Sequence, residues 1–66
     1  MTEIVLNGKK TTTDAKTVFE LIQAYGLEGK PIAVEIGGEV VNREEWKEKQ
    51  IQSGMTIELV HFVGGG

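Results

Sequence analysis

Few residues in this chain could do chemistry. Catalytic sites need convergent nucleophiles, bases or metal ligands, yet the 66 residues hold one histidine and no cysteine. A thiol nucleophile, a thiolate zinc site, an iron–sulfur cluster and a disulfide are therefore excluded. His61 has no second histidine with which to hold a metal, and reads as a packed or solvated residue on the last strand. Glu44, Glu45 and Glu48 cluster around Trp46. A charged turn helix with a solvated face, anchored by a tryptophan that closes one end of the core, accounts for them. No glycine run has the spacing of a phosphate-binding loop. No residue is assigned a catalytic role, and no metal or bound cofactor is expected.

One reactive group remains, the α-carboxylate that follows Gly64-Gly65-Gly66. Three extended residues reach about 10 Å. Lacking Cβ atoms, they could thread a channel too narrow for side chains. The carboxylate itself is ionised and unreactive at neutral pH, so another protein would have to activate it. An acyl-adenylate made from ATP is the expected form. The chain would then be a substrate and carrier rather than an enzyme. A glycine run also reads as a flexible linker or a frayed end, and the residues by themselves leave both readings open.

Composition narrows the setting. Seven Lys and Arg against ten Asp and Glu give a net charge of −3, and Lys9-Lys10 is the one adjacent basic pair. Nucleic-acid binding needs a basic stripe, so no nucleic-acid partner is expected. No apolar run approaches the roughly 20 residues of a membrane span, and residues 1–3 do not resemble a signal peptide. A cytoplasmic, monomeric carrier with no membrane contact is the expectation, in keeping with the missing cysteines.

The elements that would position such a tail follow from periodicity. Thr2 to Leu6 is rich in strand formers, and Asn7-Gly8 is a strong hairpin signal. Lys9 to Thr13 returns as an edge strand guarded by lysines. Thr17 and Glu20 fit a capping box. From there Val18, Leu21, Ile22 and Tyr25 form one helical stripe, which predicts a helix over 18–25. Gly26 then suits the left-handed position beyond the helix, with Leu27 folding back. Ile32 to Ile36 alternates as a half-buried strand; Gly37-Gly38 turns it into Glu39-Val40-Val41. Asn42 and Glu45 repeat the capping logic for a short turn helix, and Thr56 to Val63 forms the last strand. This order predicts an α+β domain, a single sheet with one main helix packed on one face. The expected core takes Ile4, Leu6, Val18, Leu21 and Ile22 from the first half of the chain. Ile32, Val34, Val40, Ile57 and Leu59 complete it.

Four stretches together resemble the ThiS sulfur carriers of thiamine biosynthesis. They are Ile4-Val5-Leu6-Asn7-Gly8, Thr17 to Ile22, Val41 to Trp46, and Ile57 through Phe62-Val63-Gly64-Gly65-Gly66. The resemblance runs over essentially the whole chain. It implies a ubiquitin-like β-grasp fold, with the first and last strands parallel neighbours in a mixed sheet. It also implies an E1-like adenylyltransferase of the ThiF type that consumes ATP to adenylate Gly66. A persulfide derived from a cysteine desulfurase would convert that adenylate to a thiocarboxylate, and a thiazole synthase of the ThiG type would take the sulfur. Gly64 and Gly65 become the threading tail, and residues 1–63 the domain. The molybdopterin synthase small subunit resembles this pattern too. A non-covalent interaction module and a lysine-conjugated modifier are alternatives of other kinds.

Strand alternation adds a docking surface. Val60 and Phe62 fall on the face opposite Ile57 and Leu59, where they could anchor a partner beside the tail. A second apolar layer involving Val5 is the competing expectation, and would cover them.

Overall fold

The Asn7-Gly8 pair reverses the chain as the sequence requires. In the computed structural model, which describes residues 1–61, Asn7 has φ 50° and Gly8 has φ 84°. Two successive positive φ values are the geometry whose twist matches a two-residue hairpin. Strand β1 (Thr2–Leu6) therefore pairs antiparallel with β2 (Lys9–Thr13), from Leu6 opposite Lys9 to Thr2 opposite Thr13.

Helix α1 (Val18–Ala24) starts on the Oγ1 of Thr17, which accepts from the Glu20 N–H at 3.2 Å. The Glu20 carboxylate reaches one residue further back than a simple capping box requires, taking the Lys16 N–H at 2.7 Å. At the other end Gly26, at φ 68°, donates to the Gln23 carbonyl, and Leu27 donates to that of Ile22, both at 3.0 Å. These two bonds are the Schellman pattern, which satisfies carbonyls left over at the helix end. The helix thus stops one residue before the predicted limit. Tyr25 is its C-cap, and at 49% exposure leaves the apolar stripe assigned to it. Val18, Leu21 and Ile22 carry the buried face.

Strands β3 (Ile32–Ile36) and β4 (Glu39–Val41) form the second hairpin, and a 3₁₀ turn (Arg43–Glu45) leads to Trp46. The Glu45 carboxylate accepts from the Asn42 N–H at 3.3 Å. Strand β5 (Thr56–His61) then enters the middle of the sheet, whose order is β2-β1-β5-β3-β4. It runs parallel to β1 and antiparallel to β3. This single mixed sheet, with α1 and the 3₁₀ turn, is the expected β-grasp fold. Phe62, Val63 and Gly64 to Gly66 lie outside the described residues, and with them the end of the predicted last strand and the boundary placed after residue 63.

The core holds nine of the ten expected residues, with one exchange. Val40 is 62% exposed, whereas Val41 is 8% exposed. The two-residue Gly37-Gly38 turn sets the register: Val34 faces Val41, and Glu35 faces Val40. Directly opposed residues share a sheet face, so Val41 joins buried Val34 and Val40 goes outward with Glu35. Trp46, 4% exposed, closes the core and donates its indole N–H to the Val41 carbonyl at 3.1 Å. Ile51 is a further buried residue beyond the expected set. It belongs to no strand; its N–H bonds the Lys16 carbonyl at 2.8 Å, beside an isolated bridge between Thr17 and Gln50.

This register predicts unequal costs for two neighbouring truncations. Val41→Ala should lower the unfolding free energy by about 2 kcal/mol, and Val40→Ala by less than about 0.5 kcal/mol. Urea denaturation followed by Trp46 fluorescence measures both, and equal losses would contradict the register.

Candidate functional site

The last strand is held from two sides along its first half and from one side along its second. Pairing with β1 covers Thr56 and Ile57, opposite Val5 and Leu6, and then stops because β1 turns at Asn7. Pairing with β3 continues, with Leu59 opposite Val34, Val60 opposite Ala33 and His61 opposite Ile32. Strand β3 begins at Ile32, and His61 opposite it is the last described residue of this ladder.

Asn7 adds two bonds on the β1 side. Its backbone N–H donates to the Ile57 carbonyl at 2.9 Å. Its side-chain Oδ1 accepts from the Leu59 N–H, also at 2.9 Å, in a partly buried contact. The spacing of a parallel ladder calls for an acceptor at this point. With Asn7 in the left-handed region, its side chain supplies the oxygen. Sequence reading assigned Asn7 only to the turn. A polar turn residue that also serves a strand 52 residues away leaves no local signal.

The two faces of β5 differ sharply. Ile57 and Leu59 are buried beneath α1, at 0% and 9% exposure. Glu58 and Val60 point to the outer face, as alternation predicts, and Val60 is 42% exposed. Among the described residues, Val5 does not cover Val60. Val5 is opposite Thr56 on one side and Lys10 on the other. Four residues along a strand put Val60 about 13 Å further on. Small Ala33 is the direct cross-strand neighbour of Val60, and Glu35 and Glu58 oppose one another beside this pair. Like charges directly opposite in a sheet repel. The outer face at this end thus joins an exposed apolar spot to a concentrated negative charge. Phe62, the other expected anchor, and Gly64, Gly65 and Gly66 lie outside the described residues.

The other chemical suspects do not converge. His61 is exposed at the end of β5. Among the described residues, no three His, Cys, Asp or Glu side chains converge as metal ligands would. Glu44, Glu45 and Glu48 are exposed, with Glu45 engaged in the 3₁₀ cap. Nearby, Arg43 stacks over the Trp46 ring at 4.7 Å and Lys47 over Phe19 at 5.0 Å. These contacts cover the aromatic rings with cations and account for the basic residues of the turn. Among the described residues, no helix is long and apolar enough to cross a membrane.

Comparison with known proteins agrees with this architecture. The ThiS family model matches residues 3–66. The sulfur carrier protein ThiS of Bacillus subtilis (strain 168) is 41% identical over 63 residues, which cover 92% of this chain and 96% of that protein. A crystal structure of the thiamine biosynthesis protein ThiS from Geobacter metallireducens superposes with a TM-score of 0.82 at 32% identity, covering 97% of this chain and 99% of that one. A thiazole synthase from Paramagnetospirillum magneticum is 31% identical over 65 residues; the match takes 97% of this chain but only 20% of that protein's length. Both the family model and the matched carrier span nearly the whole sequence, and the chain belongs to the ThiS family.

Proposed function

We propose that this chain is a sulfur carrier for thiazole formation in thiamine biosynthesis, and that Gly66 bears the sulfur. The observation that carries the reading is the 41% identity to a sulfur carrier over nearly the full length of both chains. The family match also runs through Gly66. The chain is acted upon rather than acting as an enzyme.

Elementary chemistry dictates the steps. A carboxylate oxygen of Gly66 attacks the α-phosphorus of ATP on an E1-like, ThiF-type adenylyltransferase, and pyrophosphate leaves. The terminal sulfur of a cysteine-desulfurase-derived persulfide then attacks the acyl carbon, and AMP leaves with the C–O bonding pair. The resulting acyl disulfide is reduced by a thiol, which forms a new disulfide with the persulfide's inner sulfur. Gly66 is left as a thiocarboxylate. A ThiG-type thiazole synthase accepts that sulfur. Support for the last partner comes from the thiazole synthase that carries a segment similar to this chain within its own length. ATP is consumed by the partner and is not a resident cofactor, and ATP-dependent activation suits a cytoplasmic, monomeric carrier.

Gly64 and Gly65 serve as the thread, since an α-carbon without Cβ needs the narrowest channel. Val60 and Phe62 serve as the docking anchor beside it. An apolar spot at the root of a tail buries against a partner while the tail enters its site, and such central anchors dominate binding energy.

Removing Gly65 and Gly66 should abolish ATP–pyrophosphate exchange on the cognate adenylyltransferase while leaving the circular dichroism spectrum and thermal midpoint unchanged. Retained thiazole formation by the truncated chain would refute the reading. Intact-mass analysis of the protein from thiamine-producing cells should show one C-terminal oxygen replaced by sulfur, whereas a stable lysine conjugate would indicate a modifier instead.

Substitution tests the anchor separately. Val60→Ser and Phe62→Ala should each raise the KM for the carrier in pyrophosphate exchange by roughly fivefold or more, with stability changed by no more than about 0.5 kcal/mol. A large stability loss for Phe62→Ala would assign that residue to the core instead.

A further inference from the structure

The Asn7-Gly8 turn does not by itself explain the residue at position 7. A hairpin turn with two positive φ values accepts asparagine, aspartate or glycine there. What only an acceptor side chain can do is take the Leu59 N–H, which Asn7 Oδ1 does at 2.9 Å. Ladder pairing between β1 and β5 ends at Leu6 and Ile57. Among the described residues, the bond to Leu59 is therefore the last attachment of β5 on its β1 side. Beyond it, Val60 and His61 are paired with β3 alone.

We infer that Asn7 is a positioning residue for delivery of the C-terminal carboxylate, a role that rests on the sulfur-carrier reading. The argument is one of reach. Three glycines extend about 10 Å, so there is little slack between a docked domain and the reaction centre of its partner. The root of the tail must leave the sheet at a defined place. Strand β5 is anchored from within by buried Ile57 and Leu59. Leu59 is also where the β1 ladder has run out and the edge is open. Without the Asn7 acceptor, a partly buried N–H loses its partner, and the segment from Leu59 to His61 can swing away from β1 on its remaining attachment to β3. The partner would then have to restore the exit direction at the expense of binding energy. Asn7 removes that cost beforehand. It touches neither ATP nor the reacting carboxylate and acts only through the strand.

Steady-state ATP–pyrophosphate exchange with the full chain and its cognate adenylyltransferase tests the inference, using Asn7→Gly, Asn7→Asp and Val41→Ala. Asn7→Gly keeps the turn and loses the acceptor; its KM for the carrier should rise about tenfold with kcat within about twofold. Asn7→Asp restores an acceptor and should return KM to within about threefold of the parent. Val41→Ala lowers stability with the Asn7 bond intact, and its KM should not move at a temperature where all the variants are folded. Amide hydrogen exchange on the free proteins should show faster exchange at Leu59 in Asn7→Gly and restored protection in Asn7→Asp. An unchanged KM in Asn7→Gly, or an equal rise in Val41→Ala, would overturn the positioning role while leaving the carrier reading standing. An unmodified chain that supports no exchange would overturn both.

Discussion

Everything in this fold depends on a strand from the end of the chain lying at the centre of the sheet. Strand β5 has β1 on one side and β3 on the other, so the two hairpins meet only through it. Its inward residues, Ile57 and Leu59, sit beneath the helix face formed by Val18, Leu21 and Ile22, and all five belong to one hydrophobic cluster. The domain buries a modest core, as a chain of this size must, and β5 runs through the middle of it. In sequence, two residues separate this strand from the glycines. The buried support and the segment proposed to carry the chemistry thus lie close together in sequence. Within β5 the support is firmest at Ile57, which is buried and paired with both β1 and β3.

Much of this was legible because local rules and the global fold agree. The β1–β2 turn, both ends of α1 and the β3–β4 turn are each written in residues whose backbone preferences admit few alternatives. Tyr25 misled because an apolar side chain at helical spacing carries no sign that the helix ends one residue earlier; Gly26 carries that sign, and the Schellman bonds act on it. Val40 and Val41 are chemically alike, and only the parity of a two-residue turn separates them. That parity was present in Gly37-Gly38, so the assignment could have been derived from cross-strand register. Ile51 was invisible for a different reason. It is buried by the segment linking the 3₁₀ turn to β5, where no periodicity exists to betray it.

The candidate site divides along the same line. Alternation along β5 suffices to place Val60 outward, because a strand's faces follow from counting. The accumulation of Glu35 and Glu58 beside Val60 needs the β3–β5 pairing, which no local pattern encodes. The contact between Asn7 and Leu59 is harder still, since it is a side-chain bond closing a loop of 52 residues. Chemistry assigned by composition, such as the absence of a thiol, holds at any level of structure. Chemistry that depends on long-range register emerges only once the sheet is assembled.

The parallel pairing of β1 with β5 also bears on how the molecule is made. Synthesis delivers β1 first, and its hairpin with β2 can form at once from neighbouring residues. The inner edge of β1 then waits while the helix and the second hairpin are translated. Non-local pairings of this kind are the slow, entropically costly part of folding. Until residues 56–61 leave the ribosome, the two hairpins have no common strand and the apolar side of α1 has no complete sheet to cover. A message cut short before β5 would yield a product lacking its keystone, exposed to the cell's proteases. The topology thus couples possession of a fold to possession of residues 56–61, the segment that joins the two hairpins.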